Sequence, residues 1–505
     1  MVRENTVKTD NYEQKPAEHT DAADRIPAAA IPPHMRIIRQ TGSVCPVCTK
    51  TLPAVLARFE ERAGVYLQRE CPDHGSFRTL VWQDHMNFEN WIRRETVLSD
   101  AEKHCSGDCR ACASHPQDTC CVILEVSRRC NLHCTYCFAN GGAPENYRGE
   151  APAQPSFEEL CASVDRIVQL AGSPLLQLSG GEPTLRDDLP ELVRYARKAG
   201  CSYVQINTNG IRLAADEAYV GKLAEAGLDI AFLQFDGTDD GIYRALRGQA
   251  LLETKLAAIA NCGKHGIGVT LVPTIVPGIN DHEIGNIVRK AVELFPAVRS
   301  VHFQPVTYMG RFPAPGTASS GSGQLTADAP DPASSGSGQL TADAPGAPPE
   351  KRYTLDALMH DLCIQTGIPE TSLLPSRCDH AVCEFHAKFI FNARRELVPV
   401  TDQAFDARQE RTTAARNRRY VAEHWRGRPE PADFPPLPPP GEKLVAEERE
   451  PLEFDDFVRQ LRFRSMTVSA MAFQDRFNMD LERLCRCSLH IYENGKLLPF
   501  CGKYM

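Results

Sequence analysis

Residues 130–138 read Cys130-Asn-Leu-His-Cys134-Thr-Tyr136-Cys137-Phe, three thiols with three and then two residues between them. Cys thiolates hold iron–sulfur clusters, and a cube of four irons takes four such ligands. Three thiolates therefore leave one iron without a protein ligand. An open iron serves chemistry only where another molecule chelates it, as an amino acid does through its amino and carboxylate groups. The blander readings are a zinc site or a chance grouping. Tight cysteine clusters outside a disulfide framework point instead to metal binding or redox chemistry.

Other cysteine sets flank this one. Cys45-Pro-Val-Cys48 and Cys71-Pro-Asp-His74-Gly form two knuckles with the spacing of a mononuclear iron or zinc site. Cys45, Cys48 and Cys71 are expected ligands; His74 is either the fourth or a surface turn residue. Cys105, Cys109 and Cys112 repeat the spacing of residues 130–137, but Ala111 replaces the aromatic and Cys120 offers a fourth thiol. Four thiolates close a cluster, so these four are expected to hold an auxiliary [4Fe–4S] cube. Cys121 opens the apolar run Val-Ile-Leu and reads as a small buried hydrophobe. Towards the end lie Cys378-Asp-His-Ala-Val-Cys383, Cys485-Arg-Cys487 and Pro499-Phe-Cys501. Ligands gathered from three distant segments suggest a second closed cluster.

The 505 residues suffice for about two or three domains and a large core. A formal charge of -9 and a pI near 6.0 exclude the basic surface of a nucleic-acid binder. The polar start Met1-Val-Arg-Glu-Asn-Thr is unlike a secretory signal, and no run of about 18 apolar residues occurs. Clustered cysteines without a secretory signal indicate metal ligation in a reducing, cytoplasmic setting.

The ligands need a frame, and the middle of the chain supplies it. Short apolar runs at Val122–Val126, Leu175–Leu178, Tyr203–Asn207, Ile230–Phe235, Val269–Val276 and Val301–Val306 alternate with amphipathic stretches such as 157–170 and Leu189–Ala199. That alternation predicts an α/β fold with a parallel sheet, a partial (β/α)6 barrel whose functional groups stand at strand C-termini. The first strand leads into Cys130. The second ends in Ser179-Gly180-Gly181-Glu182-Pro183, where two glycines admit a ligand close to the backbone and Glu182 can accept from an ammonium. Residues 1–34 read as a disordered arm, 35–100 as the metal-knuckle domain, and 101–121 as the auxiliary-cluster segment. The barrel spans 122–311, a repeated insertion 312–350, and a C-terminal auxiliary-cluster domain 351–505. The insertion duplicates Ser319–Pro330 as Ser334–Pro345 and is too rich in Gly, Ser, Ala and Pro to bury a core. A hairpin over Cys487–Cys501 with its turn at Asn494-Gly495 puts Cys487 nearer than Cys485 to the level of Cys501.

With Tyr136 directly before Cys137 and the Gly-Gly-Glu-Pro stretch one βα unit later, the chain resembles the radical SAM superfamily. The two knuckles, the extra cysteine set, the stretch Ala472-Phe-Gln-Asp-Arg-Phe-Asn-Met-Asp-Leu-Glu-Arg and the terminal Pro-Phe-Cys narrow the resemblance. They point to the branch of the tetraether-lipid synthase and the dihydropterin methyltransferase of methanopterin biosynthesis. This resemblance implies that Cys130, Cys134 and Cys137 hold a SAM-binding [4Fe–4S] cluster. Tyr136 and Gly180–Pro183 would lie against S-adenosylmethionine, with Gln234 at its ribose and Arg247 at its carboxylate. It also implies Cys378, Cys383, Cys487 and Cys501 as ligands of the second auxiliary cluster, although Cys485 stands where the branch suggests a basic residue. The implied reaction is reductive cleavage of SAM to a 5′-deoxyadenosyl radical that attacks an unactivated C–H carbon. Carbon–carbon bond formation on a lipid alkyl chain is the first expectation and methylation of a pterin the alternative. A reducing donor such as flavodoxin or ferredoxin is implied, and a lipid substrate leaves room for peripheral membrane contact. The rival from another class is a non-catalytic iron–sulfur electron carrier or a zinc-stabilised interaction protein, neither of which needs an open iron.

Overall fold

The structure, a computed structural model, describes residues 34–93, 119–141, 154–313, 352–376, 378–401, 418–419, 421, 433–447 and 452–504. The N-terminal arm, the repeated insertion and Cys105, Cys109 and Cys112 lie outside the described residues.

The first unit is an antiparallel meander of β1 (Met35–Val44), β2 (Thr51–Phe59), β3 (Arg62–Cys71) and β4 (Gly75–Trp82). The cysteine knuckles are the β1–β2 and β3–β4 turns, so the hairpins that set the register also bring both turns to one end.

The barrel follows as expected. β5 (Cys121–Ser127), β6 (Leu175–Gly180), β7 (Tyr203–Thr208), β8 (Ile230–Gln234) and β9 (Gly268–Val272) pair in parallel. The expected single strand over Val269–Val276 is broken. Pro273 has no N–H to give to a ladder, so a short β10 (Thr274–Ile275) continues alone against β11 (Val298–Pro305). The crossover helix Phe157–Ala171 begins with a capping box between Ser156 and Glu159, and turns Leu160, Val164 and Ile167 into the core.

The C-terminal third is not a separate sheet. It contributes β12 (Leu374–Pro375), β13 (Glu384–Phe391), β14 (Leu397–Pro399), β15 (Ser465–Met471), β16 (Leu489–Glu493) and β17 (Lys496–Pro499). These extend the barrel sheet in the order β12-β13-β15-β11-β9-β8-β7-β6-β5-β16-β17. β15 runs parallel to β11 and β16 parallel to β5, so both ends of the six-strand frame are lengthened in the same sense. All but the last residue of β15 is buried, as a central strand requires. The two distant ends of this sheet are tied by Asp379, whose carboxylate accepts from the Ser488 N–H at 2.7 Å and its hydroxyl at 2.9 Å.

The stretch Ala472–Asp480 joins the parts. Asp480 accepts from Arg39 and the Thr41 hydroxyl of β1, both at 2.6 Å. Arg69 of β3 donates to the Phe477 carbonyl at 2.7 Å. Asp475 takes the buried Arg352 guanidinium at 2.9 Å. The N-terminal meander is thereby docked onto the segment that carries the last cysteines.

Candidate active site

The loop after β5 carries Cys130, Cys134 and Cys137, and all three thiols face one cavity of about 320 Å³. Arg311, at the end of the sixth barrel unit, shapes that loop. Its Nε donates to the Cys134 carbonyl at 2.8 Å and its Nη2 to the Gly141 carbonyl at 3.1 Å. Its backbone pairs both ways with Cys137 at 2.9 Å. The preceding Gly310 has φ +64°, and a Cβ there would stand 2.3 Å from the Cys137 carbonyl oxygen. Sequence reading gave Arg311 no role; the only signal was its place at a strand end. Burial, then Glu182 and the other two thiols, push Cys130 up to about 12. Three thiols of that loop on one wall fit a cluster with one open iron, whose positive charge would favour the thiolates.

The glycines of Gly180-Gly181 also line the cavity, but their first use differs from the expectation. Gly181 N–H donates to the Ser127 carbonyl at 2.6 Å and Glu182 N–H to the Arg129 carbonyl at 2.7 Å. A Cβ on Gly181 would lie 2.2 Å from the Arg129 oxygen, and one on Gly180 2.3 Å from the Ser127 oxygen. The backbone that approaches them is that of the cysteine loop.

Glu182 needs a similar correction. Its side chain is nearly buried, and Oε1 accepts from the Thr184 N–H, the Thr184 hydroxyl and the Thr208 hydroxyl. Oε2 accepts from the Asn209 N–H at 2.7 Å, which leaves that oxygen alone with room for a ligand ammonium. Pro183 begins the short turn Pro183–Leu185 and is buried away from the cavity.

Gln234, Arg247 and Tyr136 all reach the cavity wall. Arg247 is not a waiting cation. Its Nε and Nη2 form a forked pair with Asp236 at 2.8 and 2.7 Å, and Nη2 also reaches the Thr274 hydroxyl at 3.2 Å. Asp236 neutralises the guanidinium and fixes its plane, a role that the Gln-Phe-Asp-Gly strand end did not announce. Gln234 donates to Asp236 at 3.1 Å and accepts from Lys255 at 3.2 Å. Lys255 is fully buried, also donates to the Asn209 carbonyl, and is pushed down to about 8 by burial. It sits in the first turn of the helix Leu252–Lys264 and belongs to no motif, so nothing in the sequence singled it out.

The C-terminal cysteines converge in part. Burial first, then Asp379, Cys501 and Cys383, raise the Cys487 thiol, and Cys383 likewise raises Cys501. These three are within electrostatic reach of one another, and Arg483 donates to Cys383 Sγ at 3.4 Å. Cys378 is buried and acts on Cys120, whose thiol is also raised by burial. Cys485 is the last residue of the helix Leu481–Cys485 and packs against the cluster that holds Met479, Leu484, Phe500 and Cys501. The strand begins only at Leu489, so neither Cys485 nor Cys487 lies on it and the strand-face reasoning does not apply. Cys121 packs against the cluster of Cys120, Leu175 and Phe232, as a small hydrophobe should, and also lines the cavity.

The N-terminal knuckles bring Cys45, Cys48, Cys71 and His74 within 4.8 Å of one another. Cys48 and Cys71 Sγ are 3.9 Å apart, and His74 Nδ1 lies 3.5 Å from Cys71 Sγ. A tetrahedron with bonds of about 2.3 Å has edges of about 3.8 Å, so the four donors fit one ion and His74 is placed as the fourth.

Residues 124–291 match the model of the radical SAM superfamily, and that stretch of the chain belongs to it. Residues 37–83 match the HMPTM N-terminal zinc ribbon domain. Over 281 residues the chain is 39% identical to a 7,8-dihydro-6-hydroxymethylpterin dimethyltransferase of Methanocaldococcus jannaschii, covering 54% of each protein. It is also 39% identical over 157 residues to an Fe-coproporphyrin III synthase of Methanosarcina barkeri, covering 30% of this chain and 36% of that one. A probable GTP 3′,8-cyclase of Methanothermobacter thermautotrophicus is 35% identical over 162 residues, 32% of this chain and 50% of that protein. The chain thus spans about half or less of the length of each of these relatives. Among the described residues no helix is long and apolar enough to cross a membrane.

Proposed function

We propose that this protein is a radical SAM enzyme that functionalises an unactivated C–H carbon of a pterin-type substrate, with methyl transfer as the outcome. The observation that carries it is the single cavity onto which Cys130, Cys134, Cys137, Gly181, Glu182, Gln234 and Arg247 all open. When bound there, a reduced [4Fe–4S] cluster and SAM supply one-electron cleavage of the sulfonium to a 5′-deoxyadenosyl radical. The chain's part is to hold and orient. Arg311 and the glycine contacts fix the three thiols, Glu182 Oε2 takes the ammonium, and Asp236 aims Arg247 at the carboxylate. The barrel walls keep water from the reacting carbon. Cys383, Cys487, Cys501 and Cys378 serve an auxiliary cluster, and Cys120 joins Cys105, Cys109 and Cys112 in another. Cys45, Cys48, Cys71 and His74 hold the mononuclear metal.

The pterin is preferred to the lipid chain because amides, an imidazole and carboxylates stand among the apolar side chains of the cavity, and a heterocycle can meet both kinds of group. The likeness to a pterin dimethyltransferase supports the same choice. The test is anaerobic turnover with 7,8-dihydro-6-hydroxymethylpterin deuterated at its non-exchangeable carbons. Deuterium in 5′-deoxyadenosine is the expected result; unlabelled product at the rate seen without pterin contradicts it.

A further inference from the structure

Two positions inward along the strands from Ser179, Asn207 and Gln304, on the same strand faces, stand Gln177, Gln205 and His302. The interior of a (β/α) barrel is ordinarily filled there by branched apolar side chains. These three are instead polar and only 8%, 4% and 7% exposed. Burying such groups is costly unless their hydrogen bonds are met, and here they are met only in part. Gln205 Nε2 donates to Gln177 Oε1 on the neighbouring strand. That bond uses one N–H of Gln205 and the Gln177 carbonyl oxygen, and leaves the Gln177 NH2 as a donor and the Gln205 carbonyl oxygen as an acceptor for the cavity that both residues line. His302 Nδ1 shares a hydrogen bond with the Ser469 hydroxyl at 2.9 Å, which leaves Nε2 for the cavity that the ring lines. Phe232 lies in the same wall, its ring centroid 6.0 Å from that of His302.

We infer that Gln177 and Gln205, with His302 and Phe232, form the substrate-reading wall of the cavity, and that they take a flat nitrogen heterocycle by a lactam edge. This rests on the pterin reading above and adds the residues that recognise it. A donor and an acceptor in one wall complement a ring C=O and a ring N–H. The amide pair therefore selects the lactam edge, His302 meets a further ring heteroatom, and Phe232 packs against the ring face.

The test uses the anaerobically reconstituted full chain with SAM, and 7,8-dihydro-6-hydroxymethylpterin as the probe, by equilibrium dialysis. Gln177→Leu, Gln205→Leu and His302→Phe are each expected to weaken pterin binding at least tenfold. The SAM-induced change in the cluster's EPR spectrum should remain as in the wild type. Gln177→Met and His302→Asn, closer in shape, replace any variant that loses its circular dichroism or iron. Binding within twofold of wild type in the variants overturns this inference and leaves the pterin reading standing. If the wild type itself binds no pterin, that reading falls, and GTP, which carries the same lactam edge, becomes the probe. Weakened GTP binding in the same variants then supports the wall; unchanged or absent binding overturns it.

Discussion

Replacing Asp236 by alanine removes the partner of a guanidinium that is almost wholly buried. The side chains of Arg247 and Asp236 are 6% and 0% exposed, and the pair is forked, at 2.8 and 2.7 Å. Asp236 also accepts from the Thr274 N–H and the Gln234 amide, both at 3.1 Å. Asp236→Ala strands a buried charge and two donors at once, and Lys255 is a second buried cation nearby whose pKa Asp236 holds up. Breaking one side of such a pair costs about 3–5 kcal/mol. At 1.36 kcal/mol per tenfold, amide-exchange protection of β8 and β9 should fall about a hundredfold to several thousandfold. Hydrogen–deuterium exchange with mass spectrometry reads these strands directly, where a whole-chain unfolding curve would mix several units. Removing both partners, as Asp236→Ala with Arg247→Met, should restore much of the loss, because no orphan guanidinium remains. Protection within threefold of wild type in the single variant, or a double variant no better than the single, would refute the pairing.

Gly181→Ala pushes a Cβ into the Arg129 carbonyl, so it should lose the iron of one cube, about four per chain, with 5′-deoxyadenosine formation; normal iron would contradict the packing. Cys487→Ser should lose a similar amount of iron and Cys485→Ser none, since it is the Cys487 thiol that Cys501 and Cys383 act on; iron analysis decides. His302 is pushed down to about 4 by burial, against about 6.5 in the unfolded chain. The unfolded chain takes the proton first, so this contribution is whole above pH 6.5 and is lost as the pH falls towards 4, by about 3 kcal/mol at most. Comparing amide-exchange protection of β11 in wild type and His302→Asn across that window isolates the effect; parallel pH dependences would rule it out.

The strands and the cysteine loop were legible because their signals are local: apolar runs of strand length, and three thiols within eight residues of one another. Gly180-Gly181 was legible as a place of close approach, but not what approaches, since Ser127 and Arg129 lie about fifty residues away. Arg311 and Lys255 escaped notice because each acts through partners distant in sequence, and Asp236 because a single buried charge leaves no periodic trace. The C-terminal strands read as a separate domain because the insertion interrupts the pattern, whereas β15 and β16 join opposite edges of the same sheet. Cys485 was placed near a strand because the hairpin was clear and the short helix Leu481–Cys485 ahead of it was not.

The central claim is that Cys130, Cys134 and Cys137 hold a cluster whose open iron takes SAM. The direct measurement is 5′-deoxyadenosine, quantified after anaerobic reconstitution, dithionite and SAM, in the wild type and in Cys134→Ala. The wild type should form it and show a SAM-perturbed cluster spectrum, while Cys134→Ala forms none and retains the iron of its other clusters. Product retained in Cys134→Ala would place the reaction on another cysteine set. A wild type lacking both the product and the spectral change would contradict the enzyme reading itself.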